Sequence, residues 1–356
     1  MKKQILTASI LLCLFIGNAQ TISLTNSTPT TSTIGGGSSV RIGTNSAPSL
    51  TTGANNVFVG AHSAIGNTTG ADNTFMGWGS GAGNINGTYN TFLGRSTGGS
   101  NTSGSNGTFV GALAGFGNTT GFGNTFVGFA SGQTNSSGGN NTLMGWGSGG
   151  SLNSWSNTIL GSFSGVSIVG DGNTIVGSTA GRYATGSANI LLGAGAGENA
   201  IGDSKLYIHN TNSNEPTIFG DLVTKKIGIG GFSSIPLSVG NVDISNYKLF
   251  VKGGILTEEI RVSLSNDWAD YVFKEDYKLP SLEEVEKHIQ TNGHLINVPS
   301  AKEIEENGIN VAEMVNIQQE KIEELTLYII ELNKINEKQN ALIEKLEARL
   351  NKLENK

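Results

Sequence analysis

A phrase close to Asn-Thr-Phe-Val-Gly recurs between residues 40 and 200. Its glycines lie 17 residues apart in the first five steps and 16 apart in the next three. Arg41-Ile42-Gly43 lies 17 residues before the first full phrase, so we expect the array to start there. This period is too short for a helix, and short apolar runs between Gly and Asn are typical of strands and turns. The repeat predicts a mainly β fold, a parallel β-solenoid of 16–17-residue coils. The phrase glycines are Gly60, Gly77, Gly94, Gly111, Gly128, Gly145, Gly161, Gly177 and Gly193.

Two apolar columns lie side by side in each predicted strand. Because successive side chains of a strand point to opposite faces, one column fills the coil and the other faces outward. A solvated monomer should not expose such a stripe, so the outward column favours an interface between copies of the chain over a loop that covers it. The predicted solenoid core contains Phe58, Phe75, Phe92, Phe109 and Phe126, continued by Leu143, Ile159, Ile175 and Leu191. The predicted interface contains Val59, Met76, Leu93, Val110, Val127, Met144, Leu160, Val176 and Leu192.

Polar residues also form columns. Asn precedes most phrases, and stacked Asn amides can bond along such a ladder. A Thr column shares the face of the outward apolar column, and regular Thr arrays can bind ice, which remains an alternative function. Val57 and Ile190 replace Thr at the two ends, which favours a packed interface. The Thr column is Thr74, Thr91, Thr108, Thr125, Thr142, Thr158 and Thr174.

The recurring Asn-Thr-Phe-Val-Gly phrases, separated by small residues, resemble the heads of trimeric autotransporter adhesins over about residues 40–200. The resemblance implies a left-handed β-roll, a homotrimer and an adhesive role, with a glycan or a host or matrix surface as partner. Those adhesins end in membrane strands, whereas this sequence ends in a polar Leu353-Glu-Asn-Lys356. We therefore expect either release or a partner in the outer membrane.

The first residues predict secretion. Lys2 and Lys3 precede an apolar stretch, and Gly17-Asn18-Ala19 forms a small-residue cleavage site, so residues 1–19 read as a signal peptide. Residues 20–39 form a Ser/Thr/Gly-rich linker. The net charge of −6 argues against nucleic acid as a partner. We expect an extracellular or cell-surface protein.

Residues 201–265 are predicted to form a β-rich cap of short strands, the last at Glu259–Val262. Residues 266–310 contain two capping boxes, Ser281 with Glu284 and Ser300 with Glu303, each of which opens a short helix. The region is similar to the C-terminal part of secreted fibre proteins of Bacteroidetes-type bacteria, which end in a module like the self-chaperoning tail of phage tail spikes. That resemblance implies trimer assembly, and the sequence lacks a recognisable self-cleavage motif.

A heptad repeat runs through residues 311–356 and predicts a parallel coiled coil. Ile at a and Leu at d, with one Asn at a, favour two strands, whereas the adhesin resemblance implies three; we expect a trimer because large folded domains can override heptad preference. The predicted seam contains Ile322, Leu325, Ile329, Leu332, Asn336, Ile343, Leu346 and Leu350.

No catalytic or metal-binding residues and no cofactor are predicted. The four histidines have no Cys partner and no metal-ligand spacing. The sequence thus predicts a non-catalytic, homo-oligomeric fibre with an adhesive or structural role. The alternatives are a phage-type tail fibre that binds carbohydrate, and an ice- or surface-binding solenoid.

Overall fold

The computed structural model describes residues 39–238, 240–262 and 268–354. The predicted signal peptide and nearly all of the predicted linker lie outside these residues. The chain divides into two compact units. Among the described residues, all of the strands belong to the first unit and all of the helices to the second.

The first unit is a parallel β-solenoid of about ten coils, which confirms the mainly β solenoid that the repeat predicts. Each coil contributes one three-residue strand, and consecutive strands pair in parallel, with like residues side by side. Phe75, for example, is paired with Phe92, and Phe92 with Phe109. The coil strands are β1 Val40–Ile42, β2 Val57–Val59, β3 Thr74–Met76, β4 Thr91–Leu93, β5 Thr108–Val110, β6 Thr125–Val127, β7 Thr142–Met144, β8 Thr158–Leu160, β9 Thr174–Val176 and β10 Ile190–Leu192.

The phrase glycines make the sharp corner that follows each strand. Gly77 has φ +137°, a conformation that L side chains rarely adopt. A Cβ at this position would lie 2.3 Å from the carbonyl oxygen of Gly94 in the next coil. Only glycine therefore lets successive corners stack at the spacing of the strands.

The interior of the coils contains a column of stacked aromatic rings. The rings of Phe75 and Phe92, and those of Phe92 and Phe109, lie 4.6 Å apart between centroids and are nearly parallel. Phe58 through Phe126, and the aliphatic residues that continue the column, are fully buried. Each fully buried ring contributes about 1.5–3 kcal/mol, so this column is a main source of stability.

The predicted Asn column is buried, and its side chains bond along the ladder in two ways. In the early coils the side-chain oxygen of one Asn accepts a hydrogen bond from the backbone N–H of the next, as Asn56 does from Asn73 at 2.9 Å. The Nδ2 group of Asn56 donates to the carbonyl of Gly70. Direct amide-to-amide bonds in this column occur only later, as from Asn173 to Asn157 at 3.0 Å.

The predicted cap continues the same sheet. Strand β11 (Lys205–Ile208) pairs in parallel with β10, and β12 (Ile218–Asp221) and β13 (Lys226–Ile229) follow as antiparallel neighbours. Strand β14 (Leu249–Val251) pairs in parallel with β13. The expected strand at residues 259–262 is wrong, because this segment has no regular structure.

The second unit contains a 3₁₀ helix (Ala269–Phe273) and three α-helices, α1 (Leu282–Asn292), α2 (Ala301–Asn307) and α3 (Val311–Glu354). Both predicted capping boxes are present, at Ser281 and at Ser300. Gly293 and Gly308 end the two short helices, as their positions predict.

Candidate functional surfaces

The outward face of the strands carries the predicted interface column. Met76, Leu93 and Met144 are 43–49% exposed, and the remaining members are exposed or half-buried. The Thr column lies on the same face, as in β3, where Thr74 and Met76 flank the buried Phe75. Adjacent residues of each strand thus point to opposite sides, and an apolar stripe bordered by threonines follows β2 to β10.

A second surface, the aromatic groove, lies on the segment of the coil that follows the strand corner. Its volume is about 380 Å³. Large side chains form its rim and small residues its floor. The rim is His62, Ile65, Trp78 and Phe116, and the floor is Gly79, Ala82, Ser96 and Gly99.

The groove exists because different coils place residues of different size at the same two positions of the repeat. Trp78 directly follows a phrase glycine, and its indole is 51% exposed. Phe116 occupies the position that Gly99 holds one coil earlier. A Cβ on Gly99 would lie 2.9 Å from the Phe116 ring, so this glycine makes room for the ring.

One strong charge lies beside the groove, on Arg95, which precedes the lining residue Ser96. The guanidinium carbon of Arg95 lies 5.3 Å from the centroid of the Trp78 ring, a cation–π arrangement. The His62 ring lies edge-on to the Trp78 ring, with 6.1 Å between centroids. Arg95 forms no ion pair with any described residue. The groove thus combines an exposed aromatic ring with an unpaired cation.

A second aromatic cluster lies farther along the solenoid. Trp146 occupies the same repeat position as Trp78, four coils later, and is 57% exposed. Its ring contacts Phe129 at 6.1 Å and Phe163 at 5.2 Å. The nearby Arg182 stacks on Phe163 and Tyr183. Trp146 therefore shares the repeat position and the exposure of Trp78, but among the described residues no arginine stacks on its ring.

Helix α3 has an inverted pattern of burial. Glu320, Glu323 and Glu324 are 5–6% exposed, whereas their apolar neighbours Ile322 and Leu325 are 56–58% exposed. In the heptad these glutamates take the outer b, c and f positions, and the exposed residues take a and d. The outer face of α3 thus contacts its own unit and leaves the apolar seam uncovered. Ile329, Leu332, Ile343, Leu346 and Leu350 of the seam are also exposed, and so is Asn336.

Two of the three buried glutamates accept hydrogen bonds from tyrosines in the segment before α1. Tyr271 donates a hydrogen bond to Glu320, and Tyr277 donates to Glu324 at 2.5 Å. Lys321 lies between the two carboxylates, 2.8 Å from each. Tyr328 donates to the carbonyl of Pro280. These bonds fix the first half of α3 to its unit.

The cluster shifts the pKa values of its members. The hydrogen bond to Glu320, together with burial, raises the pKa of Tyr271 to about 12. Burial and the bond to Glu324 also raise the pKa of Tyr277. Burial opposes ionisation of Glu320 and Lys321, but their hydrogen bonds prevail, so the pKa of Glu320 is lowered and that of Lys321 is raised. The ion pair is therefore charged at neutral pH and the phenols are protonated.

No family model, curated protein or solved structure matches this chain.

The histidines predicted to have no role fall into three places. His62 lies on the rim of the groove, and His209 contacts Thr217. His288 and His294 lie six positions apart in the sequence, and their rings lie 5.4 Å apart. Among the described residues no group of three or more potential ligands could hold a metal ion. No helix in the described part of the chain is long and apolar enough to cross a membrane.

Sequence reasoning missed two features of the solenoid. The first is a second buried Asn ladder, in which each side chain donates to the one before it; its period of 17 is visible in the sequence. The second is the aromatic groove, whose residues do not repeat and therefore have no periodic signal. The second ladder is Asn67, Asn84, Asn101, Asn118 and Asn135.

Proposed function

We propose that this protein is a non-catalytic, secreted fibre protein that assembles from copies of itself and has an adhesive or structural role at the cell surface. The inverted burial of α3 carries the proposal. A helix of 44 residues that buries glutamates and exposes isoleucines has its apolar seam free for a partner. The seam follows a heptad, which fits an equivalent helix of a second copy.

The stripe on the solenoid calls for the same kind of partner. Met76 and Leu93 repeat at the spacing of the coils, so a flat apolar ladder is presented along the strand face. An identical ladder on another copy has the same spacing and can pack against it around a rotation axis. The seam and the stripe therefore support one assembly, independently of each other.

Three copies are favoured over two. The adhesin-like phrases imply a trimer of left-handed β-rolls, and we retain that proposal against the heptad preference for two strands. Residues 1–19 would supply the route out of the cell. The proposed assembly involves no cofactor and no nucleic acid.

The mass of the protein in solution tests the proposal. We expect a value near three times the mass of one chain without residues 1–19. Ile329→Lys places a charge in the seam, whereas Ile330→Lys makes the same change at the neighbouring outer position, where the side chain is also exposed. We expect only Ile329→Lys to lower the mass. A monomeric parent protein would refute the proposal, and equal effects of the two variants would refute the role of the seam.

A truncated variant provides a second test of the proposed assembly. The first half of α3 is bonded to Tyr271, Tyr277 and Pro280, so removal of the whole helix would also disrupt the unit. Among the described residues, deletion of residues 333–356 removes only exposed helix, at 333–354. We expect this variant to fold and to assemble more weakly than the full chain.

A further inference from the structure

We propose that the aromatic groove binds an acidic oligosaccharide, with a pyranose ring against Trp78 and the sugar carboxylate on Arg95. The inference gives the adhesive role in the proposed function a ligand class, and it rests on that role for its biological meaning. The binding site itself is contained in one chain.

The shape of the groove fits a chain of sugars. Its lining comes from four consecutive coils, which at about 4.8 Å per coil extends it over about 14 Å along the solenoid. A volume of about 380 Å³ lies in the range of small-ligand sites. The floor of Gly79, Ala82, Ser96 and Gly99 is shallow, so an extended ligand could enter from the side.

The chemistry of the rim suits a sugar ring. A pyranose has a face of C–H groups and a periphery of hydroxyls. The negative face of an exposed aromatic ring attracts the polarised C–H groups. The indole of Trp78 offers this surface, and the His62 ring and the Ser96 hydroxyl supply polar groups beside it. An aromatic ring left half-exposed beside polar groups matches a ligand that is itself part apolar and part polar.

The charge of the groove selects the acidic class. Arg95 stacks on Trp78 and lacks a carboxylate partner among the described residues. Residues 21–200 contain three arginines and three carboxylates, so this stretch of the chain has no net charge to repel an anion. Asp72 accepts a hydrogen bond from Asn55. A guanidinium forms planar, paired hydrogen bonds with a carboxylate, which neutral sugars lack.

A protein partner fits the groove less well. Stable protein interfaces bury at least about 1,000 Å² of surface, and a groove lined by eight residues offers much less surface than that. The apolar stripe, which we propose packs against another copy of the chain, lies on other columns of the repeat, at positions such as Met76 and Leu93. The groove therefore binds a small ligand, whereas another copy of the chain packs on the apolar stripe.

The test measures binding of oligogalacturonate to the full chain by titration calorimetry. The fully methyl-esterified oligomer has the same rings with the carboxylates masked and serves as the neutral control. We expect binding of the acidic oligomer that weakens as salt rises, and at least tenfold weaker binding of the ester.

Three variants locate the site. Trp78→Ala and Arg95→Ala should each weaken binding about tenfold or more, because each removes one of the two contacts. Trp146→Ala removes an equally exposed tryptophan at the same repeat position and should leave affinity unchanged. A loss of binding with Trp146→Ala equal to that with Trp78→Ala would overturn the assignment of the groove. No binding of the acidic oligomer, or capture of a protein that Trp78→Ala abolishes, would overturn the ligand class.

Molecular mass, measured on the same samples, separates this inference from the proposed function. An assembled parent protein that does not bind the oligomer would leave the fibre intact and remove the sugar site. A monomer that binds it would keep the site and remove the fibre.

Discussion

The side-chain amide of Asn118 donates a hydrogen bond to the side-chain oxygen of Asn101 at 2.8 Å, inside the solenoid. Asn101 donates in turn to Asn84 at 2.6 Å, and also to the carbonyl of Gly104 at 3.0 Å. Every polar atom of this buried side chain is thereby used. The ladder ends at Asn135, whose oxygen has no partner among the described residues, because Leu152 takes the next position.

Replacement of Asn101 by Asp should destabilise the solenoid by about 3–5 kcal/mol at pH 7, because a buried carboxylate can donate neither bond. Burial raises the pKa of the new carboxyl in the folded state above the unfolded value of about 3.9. The variant should therefore be most stable below that value and lose stability as pH rises through it. Thermal unfolding at a series of pH values measures this.

The control is Asn153→Asp. The Asn153 side chain is exposed, and its oxygen accepts hydrogen bonds from the backbone N–H groups of Ser136, Ser137 and Gly138. A carboxylate can accept the same bonds, so we expect a change within about 0.5 kcal/mol. Similar losses in the two variants would contradict the role of the ladder.

Alanine substitutions at Gly98 and Gly79 distinguish the cost of backbone strain from the cost of steric crowding. Both have positive φ, +57° and +62°, so alanine at either position costs about 1–2 kcal/mol. A Cβ on Gly98 would lie 2.5 Å from the Phe92 ring, whereas one on Gly79 would lie 3.7 Å from its nearest neighbour. Gly98→Ala should thus be less stable than Gly79→Ala by a further 1–3 kcal/mol or so. Denaturant unfolding of both variants checks this, and equal midpoints would show that the ring moves aside.

The second unit should lose stability in alkali. The phenol of Tyr271 donates to Glu320 only while it is protonated, and its pKa is raised to about 12. A folded pKa above the unfolded value of about 10 gives stability that is present below pH 10 and is lost as pH rises toward 12. Lys321, whose pKa is also raised, acts in the same direction.

Tyrosinate absorbance measures this titration. We expect Tyr271→Phe to remove one phenol that ionises near pH 12. Titration of all the phenols near pH 10 in the parent protein would contradict the buried cluster.

The coil period, the strand positions and the inward Phe column could be predicted because each depends on local sequence at a fixed spacing. The capping boxes at Ser281 and Ser300 are equally local, since each joins residues three positions apart. The expected strand at residues 259–262 was wrong, because a short apolar run forms a strand only where a sheet edge is available to it.

The sequence by itself determined which residues are equivalent: a period of 17 places Phe75 and Phe92 in one column whatever surrounds them. Only the tertiary structure decided which unlike residues meet. Tyr271 contacts Glu320, which lies 49 positions later in the sequence. His62 and Phe116 line one groove although they belong to different coils. Such contacts depend on the direction and size of side chains in three dimensions, and no spacing along the chain encodes them.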